Sequence, residues 1–238
     1  MRTVPQTKVK LRKSNIINKC DICSKQQVIV CDKCTLSSKV IDRFVSANIP
    51  VDFWDKEMDK FEGDSRLIKI FNSITKDNNV FKDYYINGKS MILVGQHGVG
   101  KTLFSCAILK QAVIRGYGAL YTTLGDVVNV LIYGDSSTKF WARKELMMTD
   151  FLVLDEFDSR FINNENAAEL FGRILESIIR IRFQNSLPTI LISNDSDPSK
   201  ALGANLGASV SSLITGFCKK ISVTGQDFRT VLKQRTKE

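Results

Sequence analysis

A chain of 238 residues, 43% apolar and 25% charged, is long enough for one full α/β domain with a small appendage. No stretch of it nears the roughly 18 uninterrupted apolar residues of a membrane span, so no membrane-spanning helix is expected and the protein should be soluble. The net charge of +9 sits at the ends: residues 1–50 carry ten Lys or Arg against three Asp, residues 51–216 eighteen against twenty acids, and residues 217–238 six against two. Such asymmetry fits contact with phosphate backbones or an acidic partner. The basic start leads into no apolar run of secretory type, so the expected compartment is the cytoplasm.

Residues 1–19, with six basic residues and no acid, read as a basic tail that stays disordered until something binds it. Cys20, Cys23, Cys31 and Cys34 follow as C-x₂-C, seven residues, C-x₂-C, a spacing that suits tetrahedral Zn²⁺ held by four thiolates. Two disulfides are the rival reading, disfavoured in a cytoplasmic chain. So small a knuckle, residues 20–50, buries little core; metal binding would largely fold it. Its purpose is then to display a surface, and Lys25, Lys33 and Lys39 around it serve nucleic acid or protein equally. Ser38–Phe53 reads as a helix and a turn, stopped near Ile49 by Pro50. Residues 51–64 form a connector whose Phe53, Trp54 and Phe61 are expected to pack on the domain that follows, residues 65–238, rather than stack on a cofactor.

From Ser65 strands and helices alternate. A helix is predicted around Arg66–Ile74, then a buried strand at Met91–Val94 and a helix at Thr102–Arg115. Ala119–Thr123 reads as a strand, Gly125–Tyr133 as helical, and Phe151–Leu154 as a fully apolar strand. Ala167, Leu170, Phe171, Ile174, Leu175, Ile178 and Ile179 keep helical spacing. Thr189–Ile192 and Lys220–Thr224 supply further strands. This order predicts a parallel sheet covered by helices on both faces.

The strand at Met91–Val94 runs into GQHGVGKT, which matches the phosphate-binding pattern G-x-x-x-x-G-K-[ST]. Gly95, Gln96, His97, Gly98, Val99 and Gly100 would line up backbone N–H groups on the α- and β-phosphates of ATP. Lys101 would reach the β- and γ-phosphates, and the Thr102 hydroxyl would ligate Mg²⁺. His97, the only histidine, is a loop-tip residue with no chemical demand on it. Farther along, FLVLDE is an apolar strand ending in two acids. Asp155 would hold Mg²⁺ through water, and Glu156 would polarise the attacking water. Asn194, at the end of TILIS, is a candidate for holding that water or touching the γ-phosphate, although an Asn before DSDP is also ordinary turn chemistry. Asp158 reads as a loop residue, and Cys106 and Cys218 as buried structural ones.

The cysteine knuckle, INGKSMILVGQHGVGKT, MMTDFLVLDEFD, LPTILISND and VTGQDFR together resemble the bacterial helicase loaders of the DnaC and DnaI type, over roughly residues 20–229. The resemblance implies an AAA+ ATPase core that places a replicative hexameric helicase on single-stranded DNA. It also implies an N-terminal domain that grips the helicase, and self-assembly into an oligomer. On it, Gly95–Thr102 corresponds to Walker A, Asp155 and Glu156 to Walker B, Asn194 to sensor I, and Arg229 to the arginine of the family's terminal S-Y-R phrase. One departure stands out: where these relatives keep an arginine finger, this chain has Ser212, seventeen residues before Arg229. Such an arginine contributes about 10³–10⁵ in rate. Weak hydrolysis alone, a substitute at Arg180 or Arg182, or completion of the site by a partner remain open. The transposition helper ATPases of the IstB type share the same core and bind duplex DNA, so that reading stands as the alternative, with an ATP-binding switch of little intrinsic hydrolysis beside it. A small-molecule kinase is disfavoured by the water-activating Glu156.

Overall fold

The computed structural model describes residues 6–18, 32–157, 165–195 and 208–228. Five strands form one parallel sheet: β1 (Ser90–Val94), β2 (Ala119–Thr123), β3 (Phe151–Asp155), β4 (Thr189–Ser193) and β5 (Cys218–Ser222), in the spatial order β2-β3-β4-β1-β5. Every residue of β1, β3 and β4 is buried, as strands covered on both faces must be. β5 lies two residues earlier than its apolar pattern predicts. As an edge strand with no fully buried residue it has a weak signature, and Val223 extends its pairing by donating to the Val94 carbonyl at 2.7 Å.

The strand period of two decides which elements meet. Met91, Leu93, Phe151, Val153, Ile190 and Ile192 face one layer, built on helix α5 (Lys101–Ile114) with α3 (Ser65–Thr75) and α4 (Asn78–Ile86). Ile92, Val94, Leu152, Leu154 and Leu191 face the other, made by α6 (Leu124–Val128) with a π-helical extension (Asn129–Tyr133), α7 (Ser136–Met148), α8 (Glu165–Gln184) and α9 (Ala208–Phe217). α4, α7 and α9 carry no strong sequence signal: their apolar residues are few or evenly spread, so tertiary packing decides them.

α5 is apolar on nearly all sides because it is enclosed: the sheet lies on one side and the N-terminal segment on the other. That segment begins with α1 (Gln6–Asn18) and α2 (Asp32–Ser46). The basic stretch expected to be a disordered tail is therefore helical over residues 6–18. It is held by burial of Val9, by Lys13 to Asp42 at 2.5 Å and by an Arg12–Asp55 ion pair. Val9, Ile41, Phe44, Trp54, Phe61, Leu67 and Leu93 belong to one hydrophobic cluster, so a single core runs across the expected boundaries at residues 50 and 64. The connector packs as expected for Trp54, whose Nε1 donates to the Ile49 carbonyl at 2.9 Å. Lys110, on α5, donates to the carbonyls of Phe53 (2.9 Å), Trp54 and Lys56, closing the end of a 3₁₀ turn at Val51–Phe53; burial pulls its pKa down.

Two polar centres fix the helices to the sheet. Asp64 caps α3 through the Arg66 N–H at 3.0 Å and also accepts from Thr224 N and the Arg66 guanidinium, which in turn reaches the Ser222 carbonyl. Arg182 is fully buried and donates to Thr189 Oγ1 (2.8 Å) and the carbonyls of Leu146 (3.0 Å), Thr149 (2.8 Å) and Pro188 (2.9 Å); burial lowers its pKa to about 9. Its role is structural, which removes it as a substitute arginine finger. Arg180 remains exposed, paired with Glu176 at 2.6 Å.

Arg182→Met should lower stability by about 3 kcal/mol, because the change leaves buried carbonyls without a donor; urea unfolding measures it. The Arg66 guanidinium holds the Asp64 carboxyl down at about 2 from an ordinary 3.8. The Asp64 contribution is therefore complete above the unfolded value and lost as pH falls through the folded one. Asp64→Ala should cost about 1–2 kcal/mol at neutral pH, and its gap from the wild type should close as the pH falls from about 4 toward 2.

Candidate active site

β1 ends at Val94, and the chain turns through a loop that only glycine can follow at two points. Gly95 has φ 152°, and a Cβ there would lie 2.2 Å from the Val223 carbonyl oxygen; Gly100 has φ 101° and opens α5. Val99 is buried and anchors the loop from below, while Gln96 and His97 are exposed. The loop therefore presents its backbone to the cleft. Lys101 Nζ donates to the carbonyls of Gly95 (2.7 Å) and Gln96 (2.6 Å) and to Asn194 Oδ1 (3.0 Å). Those oxygens hold the ammonium where an incoming phosphate oxygen can replace them.

Residues 151, 153 and 155 share the sheet face of α5, and so do 190, 192 and 194. Strand parity thus brings Asp155 and Asn194 to the N-terminus of α5. Asp155, almost fully buried, accepts three hydrogen bonds: from Thr102 Oγ1 at 2.9 Å and Tyr121 OH at 2.7 Å on Oδ2, and from the Glu156 N–H at 2.7 Å on Oδ1. Burial and the neighbouring Asp155 charge push the Tyr121 phenol far above its usual pKa. Glu156 sits in a left-handed turn with φ 53°. Buried Phe157 holds that turn by donating to the Ile192 carbonyl at 2.7 Å, which aims Glu156 into the cleft instead of along the sheet.

The cleft has a volume of about 780 Å³, within the range that takes a nucleotide. Its lining includes Lys101, Thr102, Asp155, Glu156 and Asn194 together with Pro50, Phe53, Lys56 and Phe61. Phe61 packs beside Gly100 and against Phe228, whose N–H donates to the Gly98 carbonyl at 3.2 Å. Phe53 and Phe61 pack on the core as expected, and both also line the cleft. Sequence reasoning missed Tyr121. Its alternation with Thr123 in ALYTT, set beside FLVLD, is the signal that places it on the Asp155 face. An oxygen pair from Thr102 and Asp155 fits a hard divalent cation such as Mg²⁺.

Cys20, Cys23, Cys31, Asp158 and Arg229 lie outside the described residues, and Cys34 falls within α2. Among the described residues no group of three or more His, Cys, Asp or Glu is arranged to hold a metal. Cys106 is fully buried as expected, and Cys218 is partly buried. No helix among the described residues is long and apolar enough to cross a membrane.

Comparison with known proteins finds the family described as IstB-like ATP binding protein matching residues 76–236. A protein of Geobacillus stearothermophilus, named as ATP-binding in insertion sequence IS5376, is 31% identical over 114 residues, spanning 47% of this chain and 43% of its own length. The replicative helicase loader DnaC of Escherichia coli is 23% identical over 168 residues, spanning 66% of each. The chain thus spans less than two thirds of these relatives. Among solved structures, the DnaC helicase loader superposes with a TM-score of 0.59 at 23% identity, covering 73% of this chain and 99% of that one. DnaI gives 0.60 at 21%, covering 75% and 93%. These likenesses establish the fold, a five-stranded parallel α/β sheet with a P-loop.

The left-handed turn at Glu156 strains the backbone. Glu156→Gly should raise stability by about 1 kcal/mol, read as a higher midpoint in urea.

Proposed function

We propose, from the premise that this chain belongs to the IstB-like family of ATP-binding proteins, that it is an ATP-hydrolysing helicase loader. In this reading it delivers a replicative hexameric helicase to single-stranded DNA during replication initiation. What carries the reading is the convergence of Lys101, Thr102, Asp155, Glu156 and Asn194 on one cleft, in a chain that aligns with DnaC over 66% of its length.

The loop from Gly95 to Gly100 receives the phosphates of ATP on its N–H groups, and Lys101 exchanges its carbonyl partners for the β- and γ-phosphates. Thr102 and Asp155 hold Mg²⁺, which when bound neutralises charge on the phosphate oxygens. Glu156 polarises the attacking water, and Asn194, already on Lys101, orients it or the γ-phosphate. Arg229, the counterpart of the arginine in the loaders' terminal phrase, serves the phosphates. With Ser212 exposed on α9 and Arg182 committed to the core, the missing arginine comes from exposed Arg180 or from a neighbouring copy in an oligomer. Cys20, Cys23, Cys31 and Cys34 hold Zn²⁺ and shape the part that grips the helicase. The basic ends contact single-stranded DNA in a salt-dependent way.

The insertion-sequence relative, more alike per residue than DnaC, supports a second reading: a transposition helper ATPase acting on duplex DNA. ATP-dependent filaments on duplex DNA, with no helicase retained, would replace the loader reading.

Lys101→Ala and Glu156→Gln should each lower ATP turnover by at least about 10²-fold, with Glu156→Gln still binding nucleotide; equal turnover in all three proteins would sink the site assignment. The full chain should retain a replicative helicase in a pull-down. The paired change Cys20→Ser and Cys23→Ser should lose both zinc, measured by elemental analysis, and helicase, while binding ATP as the wild type does.

A further inference from the structure

Tyr121 is tied at both ends. β2 is the edge strand of the sheet, and its free edge is met at Tyr121 by the turn after α2: Tyr121 N donates to the Ala47 carbonyl at 2.8 Å, and Asn48 Nδ2 donates to the Tyr121 carbonyl at 2.9 Å. Asn48 adopts φ 53° to make this reach. On the other side the Tyr121 hydroxyl donates to the Asp155 oxygen that Thr102 also addresses, at 2.7 Å. The turn itself is anchored, because Ala47 and Ile49 are buried and Arg43 reaches the Val113 carbonyl. Both edge hydrogen bonds thus fall on the residue of β2 whose hydroxyl reaches Asp155, and that hydroxyl fills an acceptor site which Thr102 and the Glu156 N–H leave open on a nearly buried carboxylate.

We infer that Tyr121 is a positioning residue for the Asp155 carboxylate, and that the Ala47–Asn48 turn sets Tyr121, so that the seating of the N-terminal segment is read at the cation site. This rests on the ATP-site reading above. The hydroxyl fixes which way Asp155 Oδ2 points, and groups that orient a ligand in this way alter metal affinity by about tenfold or more when removed. A shift of α2 that moved the turn would move β2 at Tyr121 and turn the carboxylate. A partner gripping the N-terminal segment would thereby tune cation binding without touching the nucleotide.

The test uses the full chain and a fluorescent ATP analogue, titrated in EDTA and across a series of Mg²⁺ concentrations. Tyr121→Phe, which keeps the buried ring, should raise the Mg²⁺ needed for half-maximal effect by about tenfold while changing affinity in EDTA by less than about twofold. Asn48→Gly, which keeps the left-handed turn, should shift the Mg²⁺ dependence in the same direction by less, and should add nothing in the Tyr121→Phe background. An unchanged Mg²⁺ dependence in Tyr121→Phe, or an equal loss of affinity in EDTA, overturns the positioning role; an Asn48→Gly effect that adds in full to that of Tyr121→Phe overturns the link to the turn. Should Tyr121→Phe fail to fold, Asn48→Gly alone decides, and an unchanged Mg²⁺ dependence overturns the inference. Lys101→Ala separates the two levels: if it binds the analogue in EDTA as the wild type does, the ATP-site reading fails, whatever Tyr121 does.

Discussion

The Asp155 carboxylate ends a strand buried along its whole length, and three donors from three different elements converge on it. An anionic group so nearly closed off from water is tolerated only when its oxygens are occupied. That requirement reaches outward. Thr102 must start α5 beside β3, Tyr121 must lie on the same face of the neighbouring strand, and the Glu156 N–H must turn back, which forces a non-glycine residue into a left-handed conformation. The order β2-β3-β4-β1-β5 meets these demands by placing β3 between the tyrosine strand and the strand that carries Asn194. The loop ahead of α5 and the amide of Asn194 then share one ammonium, that of Lys101.

A second constraint follows from the enclosure of α5. A helix buried on nearly all sides needs cover opposite the sheet, and α2, the connector and α3 provide it. The N-terminal segment is therefore part of the core that supports the cleft. Lys110 illustrates the economy of the arrangement: its ammonium, desolvated on α5, satisfies carbonyls that the connector's 3₁₀ turn leaves open. Phe61 and Phe228 then close over the phosphate loop from two distant parts of the chain.

Much of this was legible before any coordinates. β1 and β3 announce themselves as short apolar runs bounded by glycine or acid, β4 as a short apolar run between Pro188 and Asn194, and the glycine pattern with its Lys-Thr ending needs no tertiary information. Asn194 followed from the strand it ends. Helices such as α7, with apolar residues on no single clear stripe, were not legible because their burial depends on neighbours. Arg182 could be named only as a spare arginine, since its four oxygen partners come from two separate stretches of chain, Leu146–Thr149 and Pro188–Thr189. Tyr121 lay hidden for a related reason: its importance arises from register with β3, a relation between strands and not a property of either. The helical state of residues 6–18 rests on Val9 and on pairing with Asp42 and Asp55, none of which composition reveals.

The central claim is that one cleft binds ATP and a divalent cation together, with Lys101 giving up its carbonyl partners to the phosphates. A crystal structure of the full chain with a non-hydrolysable ATP analogue and Mg²⁺ tests it most directly. The account predicts phosphate oxygens on Lys101 Nζ and on the N–H groups of the Gly95–Gly100 loop, with Mg²⁺ beside Thr102 and Asp155. A nucleotide bound elsewhere, or Lys101 still on the carbonyls of Gly95 and Gln96 with nucleotide present, would contradict it.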